Sequence, residues 1–76
     1  MKDLIIRIVQ ALVDQPERVQ VTEIASAQTV ILEVRVAKGD IGKVIGKRGN
    51  TAYAIRNILK GVSGKTRKKY VLDIID

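Results

Sequence analysis

The sequence predicts an α+β fold, three helices packed on one face of a three-stranded sheet in the order α-β-β-α-α-β. Three observations predict it. An apolar stripe at helical spacing opens the chain, a strict two-residue alternation follows over 29–36, and two further helical stripes flank a glycine-bounded basic loop before a last apolar strand. At 76 residues the chain has the length of one small domain, read as 1–76, with a first helix over 3–14 and the remaining core over about 19–76.

The elements follow from the residues. Leu4, Ile5, Ile8, Val9, Leu12 and Val13 recur on one helical face, so residues 3–14 read as a helix with Asp3 as its N-cap. Pro16 disfavours helical backbone at the residue before it, and Asp14-Gln15-Pro16 therefore ends that helix. Val19, Val21 and Ile24 mark a strand over 19–25, and Ser26-Ala27-Gln28 a turn. Val30, Leu32, Val34 and Val36 alternate with Thr29, Ile31, Glu33 and Arg35, which makes a strand over 29–36, paired antiparallel with the first. Lys38-Gly39-Asp40 breaks the pattern, with Asp40 as a cap for a short helix bearing Ile41, Val44 and Ile45 and stopping at Gly46. A third helix starts at Asn50 or Thr51, either of which suits the N-cap, and carries Ala52, Ile55, Ile58, Leu59 and Val62 inward. Gly61 and Gly64 end it. Lys65 to Lys69 reads as a basic loop and Tyr70 to Ile75 as the last strand, with Tyr70, Leu72 and Ile74 on one face.

Composition excludes several functions. The chain has no Cys and no His, so disulfides, thiolate metal sites and Ser–His or Cys–His nucleophile pairs are all absent. The acids Asp14, Glu17, Glu23, Glu33, Asp73 and Asp76 show no spacing that pairs two for acid–base work or metal binding. The reading is therefore of a non-enzyme with no metal and no cofactor. Apolar runs fall far short of the ~20 residues of a membrane span, and Arg7, Gln10 and Asp14 interrupt the one segment that resembles a leader. A soluble cytoplasmic protein is expected.

Charge is unevenly placed. Residues 35–69 hold eleven Lys or Arg and one acid, Asp40, while the other 41 residues hold three bases and seven acids. A cationic region this concentrated points to an anionic partner. Only two aromatics are present, Tyr53 and Tyr70, so a binder built on rows of stacking rings is disfavoured.

The informative segment is Lys43-Val44-Ile45-Gly46-Lys47-Arg48-Gly49-Asn50-Thr51. Gly46 and Gly49 permit a tight turn and carry no Cβ to hold a nucleotide backbone away. A helix N-terminus presents unpaired N–H groups and the positive end of the dipole, and a phosphate can sit there if the backbone can come close. Lys47 and Arg48 project outward and add charge there. Val44 and Ile45, Ile55 across the loop, and Val34 or Val36 on the strand are expected to form an aliphatic groove for bases beside it.

The Val-Ile-Gly-Lys-Arg-Gly segment resembles the GXXG loop of the KH domain, which clamps about four nucleotides of single-stranded RNA or DNA. The α-β-β-α-α-β order is similar to the type II KH arrangement. The run Asp40 to Gly49 with Ala54-Ile55-Arg56, at this chain length, resembles the KhpA family of small bacterial single-KH proteins. That resemblance implies a cytoplasmic RNA-binding protein and RNA chaperone, acting as a homodimer or with a larger KhpB-type KH protein, and linked to cell-wall growth and cell-length control. It implies Gly46, Lys47, Arg48 and Gly49 as the phosphate clamp and Ile45 and Ile55 as groove residues, with Lys43, Val44 and Asn50 beside them. A reading from another class is an assembly subunit whose main role is protein contact.

Other motifs carry less. Gly64-Lys65-Thr66 looks like the end of a P-loop, but Leu59 stands where that pattern needs a glycine and no strand precedes it. Lys65 to Lys69 reads either as a second phosphate contact or as a solvated loop. Tyr53 lies off the apolar stripe, placed to stack on a base or to pack at the surface, and Tyr70 reads as core.

Overall fold

The computed structural model describes residues 1–75. Helix α1 spans Lys2–Leu12, strand β1 Gln20–Ala25, strand β2 Thr29–Arg35, helix α2 Ile41–Ile45, helix α3 Asn50–Thr66 and strand β3 Lys69–Ile75. Short 3-10 turns at Pro16–Arg18, Lys38–Asp40 and Lys47–Gly49 link them. The predicted order and α+β class are both present.

The sheet runs β1-β2-β3. β1 and β2 are antiparallel, with Val21 opposite Val34 and Glu23 opposite Leu32, and Ser26 closes their turn by accepting from the Thr29 N–H and donating to the Thr29 carbonyl. β3 returns parallel to β2, Leu72 beside Leu32 and Ile74 beside Val34. A parallel return needs a crossover, and α2, the loop and α3 supply it. The alternation read in β2 is borne out: Val30, Leu32 and Val34 are buried while Arg35 is exposed. They meet Ile5 and Val9 of α1, Val44 of α2, and Ile55 and Leu59 of α3 in one core. Each such side chain removed from water contributes on the order of 2 kcal/mol before entropy is counted.

Several boundaries differ from expectation, each for a local reason. α1 begins at Lys2, which puts Asp3 inside the first turn, where its charge complements the dipole, rather than at the N-cap. It ends at Leu12 instead of 14, because Val13 is already extended. Pro16 opens a 3-10 turn, a place where its missing N–H costs nothing. Asp40 occupies the N-cap position of α2 without capping it, and its carboxylate is used elsewhere.

The larger correction concerns α3. Gly61 and Gly64 do not end it; the helix continues to Thr66 and stops at Arg67 in left-handed backbone (φ 61°). Packing outweighs the propensity cost of two glycines. Ser63 donates its hydroxyl to the Leu59 carbonyl and accepts from the Tyr70 N–H, both at 2.9 Å, so the glycine-rich turn is tied directly to β3. The expected loop 65–69 shrinks to Arg67 and Lys68. The inward stripe of α3 is also narrower than read: Ala52, Ile55 and Leu59 are buried, whereas Ile58 is 46% exposed. On α1, Leu4 and Leu12 are exposed for the same reason, since a small sheet covers only the middle of each helical face. Tyr70, read as core, is half-buried.

Candidate nucleic-acid interface

The loop between α2 and α3 is held in backbone that its sequence is suited to adopt. Gly46 has φ 78° and ψ 170°, a combination essentially reserved for glycine. A Cβ there would fall 2.6 Å from Thr51 Cβ and 2.8 Å from the Thr51 nitrogen, so position 46 excludes a side chain on two counts. Its N–H donates to the Gly42 carbonyl at 2.8 Å and closes α2. Arg48 (φ 59°) and Gly49 (φ 76°) are both left-handed. A Cβ at Gly49 would meet nothing within 4 Å. The turn is thus tight at its first glycine and open at its second.

Lys47 and Arg48 are exposed at the tip. Gly49, not Asn50 or Thr51, takes the N-cap position of α3, and no side chain caps that end. The Gly49 and Asn50 N–H groups turn back to the carbonyls of Gly46 and Lys47, so the helix start offers the positive end of its dipole beside two cations. Asn50, the first helical residue, is exposed next to them.

The remaining expected residues separate. Ile45 is 40% exposed beside the loop. Val44 (0%) and Ile55 (2%) are in the core, as is Val34, so the expected aliphatic groove is corrected: these side chains hold the two helices from below and offer no surface to a base. Lys43 faces away, its ammonium in an ion pair with the Asp14 carboxylate in the connector after α1. That hydrogen bond, reinforced by the charges of Asp14 and Asp40, holds the Lys43 pKa above its ordinary value.

A cleft of about 340 Å³ that sequence reading missed lies along α3. Tyr53, Arg56, Asn57 and Lys60 form its helical wall, and Lys69, Tyr70 and Val71 its other wall. Among the described residues β3 pairs only with β2, so its second edge keeps unpaired backbone donors and acceptors. At 1.5 Å per residue, Tyr53 stands roughly 6 Å and Lys60 roughly 16 Å along the helix from the loop. The signal was present as the i, i+3, i+4, i+7 spacing of residues 53, 56, 57 and 60, but a polar helical face with this spacing reads as solvated until a strand is placed across from it. Tyr53 is 65% exposed at the near end. Three cations, Arg56, Lys60 and Lys69, line this cleft.

Among the described residues, no three His, Cys, Asp or Glu side chains converge to hold a metal, and no helix is long and apolar enough to cross a membrane.

Two helices joined through Gly-Lys-Arg-Gly, on a mixed sheet whose last strand returns parallel, define a KH domain. The chain belongs to the KhpA/KhpB family: the model of the KhpA/KhpB KH domain matches residues 2–74. The RNA-binding protein KhpA of Clostridium acetobutylicum is 48% identical over 75 residues, covering 99% of this chain and 100% of the relative. RNA-binding protein KhpA of Chlamydia trachomatis is 46% identical over 76 residues, covering 100% of this chain and 97% of its own. The Aquifex aeolicus protein of the same name is 42% identical over 76 residues, covering 100% and 96%. No solved structure matches.

Proposed function

We propose that this chain is a binder, not a catalyst, that grips single-stranded RNA with the Gly46–Gly49 loop as a phosphate clamp. The observation that carries the reading is the loop itself: glycine-only backbone at Gly46, an open approach at Gly49, exposed Lys47 and Arg48, and a helix start that no side chain caps. The names of the relatives support RNA as the ligand. Bases of the held strand run along α3 into the cleft, where Arg56, Lys60 and Lys69 supply charge and the free edge of β3 supplies hydrogen bonds. Single-stranded DNA offers the same phosphates and is the competitor to compare.

In this reading the whole chain is one KH unit, acting in the cytoplasm as an RNA chaperone. A single KH unit grips few nucleotides, so a second copy or a KhpB-type partner would raise avidity through effective concentration. The resemblance to the KhpA family supports a role in cell-wall and cell-length homeostasis. Lys47→Asp with Arg48→Asp tests the clamp. Both side chains are exposed, so the double variant is expected to stay folded by circular dichroism and to lose RNA binding in a filter or anisotropy assay. A folded variant that binds as tightly as the parent rules the clamp out.

The second reading, an assembly subunit, is favoured by Ile58, which has the helical phase of a core residue yet is 46% exposed on α3. Sedimentation of the parent and of Ile58→Lys at micromolar concentration separates the two. An assembly role requires a parent heavier than one chain and a variant that is not.

A further inference from the structure

Asp40 is the only charged side chain buried among the described residues, at 3% exposure. Its two carboxylate oxygens accept from the backbone N–H groups of Asp14 (3.2 Å) and Gln15 (3.0 Å), in the connector between α1 and β1. One turn further along, Lys43 reaches back to the side chain of the same Asp14. α2 is thus fastened to that connector at both its start and its middle. It needs fastening: five residues are far too few for a helix to hold itself in water. Gly46 follows at once, its N–H bonded back into α2. The direction in which α2 points sets where the loop begins.

We propose that Asp40 is a positioning residue for the phosphate clamp, fixing through α2 the geometry in which Gly46–Gly49 meets RNA. The inference rests on the RNA-binding reading of that loop. A carboxylate suits the task because it accepts two backbone N–H bonds at once, each stronger than a neutral pair, whereas an amide turns a donor toward one of them. The N-terminal helix and its connector, distant from any ligand in sequence, become part of the support of the site.

Asp40→Asn keeps the shape and removes the double acceptor. Its binding is measured by fluorescence anisotropy on a random single-stranded RNA of roughly 12 nucleotides, three times the reach of one KH loop. The temperature is one at which circular dichroism shows the variant folded. The expected result is a loss of about tenfold, the scale of one charge-assisted hydrogen bond. The loss should disappear when Lys47→Ala and Arg48→Ala are already present, because the clamp then has nothing left to misplace. A folded variant with parental affinity, or a loss undiminished without the clamp cations, overturns the proposal.

If Asp40→Asn fails to fold, the parent answers instead. Coupling between two sites is reciprocal, so RNA at the clamp must tighten the Asp40 bonds. Amide hydrogen exchange at Asp14 and Gln15 should slow on saturation with that RNA, although neither residue lies at the clamp. Unchanged exchange in a saturated sample overturns the positioning role alone; a parent that does not bind the RNA removes the RNA-binding reading with it.

Discussion

Single residues decide what the loop tolerates. Gly46 and Gly49 share a positive φ but not a neighbourhood, so substitution separates them. Gly46→Ala meets both forbidden backbone and the body of Thr51, and should destabilise by at least about 2 kcal/mol in urea unfolding. Gly49→Asn places a residue that tolerates left-handed backbone into open space, so its unfolding midpoint should stay close to that of the parent. Its RNA affinity should nevertheless fall, because the new side chain occupies the approach. Lys43 offers a pH test. Its pKa is raised by Asp14, so the contribution of the pair is complete below the ordinary lysine value and is lost as pH rises through the raised one. Both side chains are largely exposed, so solvent screens the pair and the effect is small. Melting curves of the parent and Asp14→Asn should therefore differ slightly at neutral pH and converge in strong alkali.

At the level of elements, α3 is the informative case. Gly61 and Gly64 lie in helical backbone with open space where a Cβ would go. Gly61→Ala and Gly64→Ala should each stabilise by about 0.5–1 kcal/mol, additively, in thermal or urea melts. Ser63→Ala should do the reverse, costing about 1 kcal/mol by orphaning the Tyr70 N–H at the start of β3. These same residues mark the limit of what the chain displays before it folds. β2 was readable because alternation over Thr29 to Arg35 reports a face directly. The end of α3 was not, because glycine biases the backbone locally whereas the hydroxyl of Ser63 acts across space on a strand seven residues away. The burial of Val44 and Ile55 follows the same rule: helical phase puts each on the apolar face of its own helix, and only the sheet shows that those faces are filled.

Over the whole molecule, charge and topology act together. Cations crowd into residues 35–69, and five of the eleven stand at two places, Lys47 and Arg48 on the loop and Arg56, Lys60 and Lys69 along the cleft. Binding should weaken steeply with salt, and each phosphate contact removed by substitution should flatten the log–log salt slope by roughly 0.7. Titrations of the parent, the loop variant and Lys60→Ala with Lys69→Ala at several ionic strengths would apportion the contacts. The basic concentration was visible in the sequence from the outset. That three of these cations line a cleft depends on β3 lying beside α3, which no local pattern announces.

That last strand carries a consequence for the order of folding. Residues 29–35 find their parallel partner only at 69–75, some forty positions later. Until that non-local pair closes, β2 lacks a neighbour on one side and the cleft lacks a wall, whereas the turn between α2 and α3 depends on residues close to one another in the chain. The slow step of folding should therefore be the one that completes the cleft.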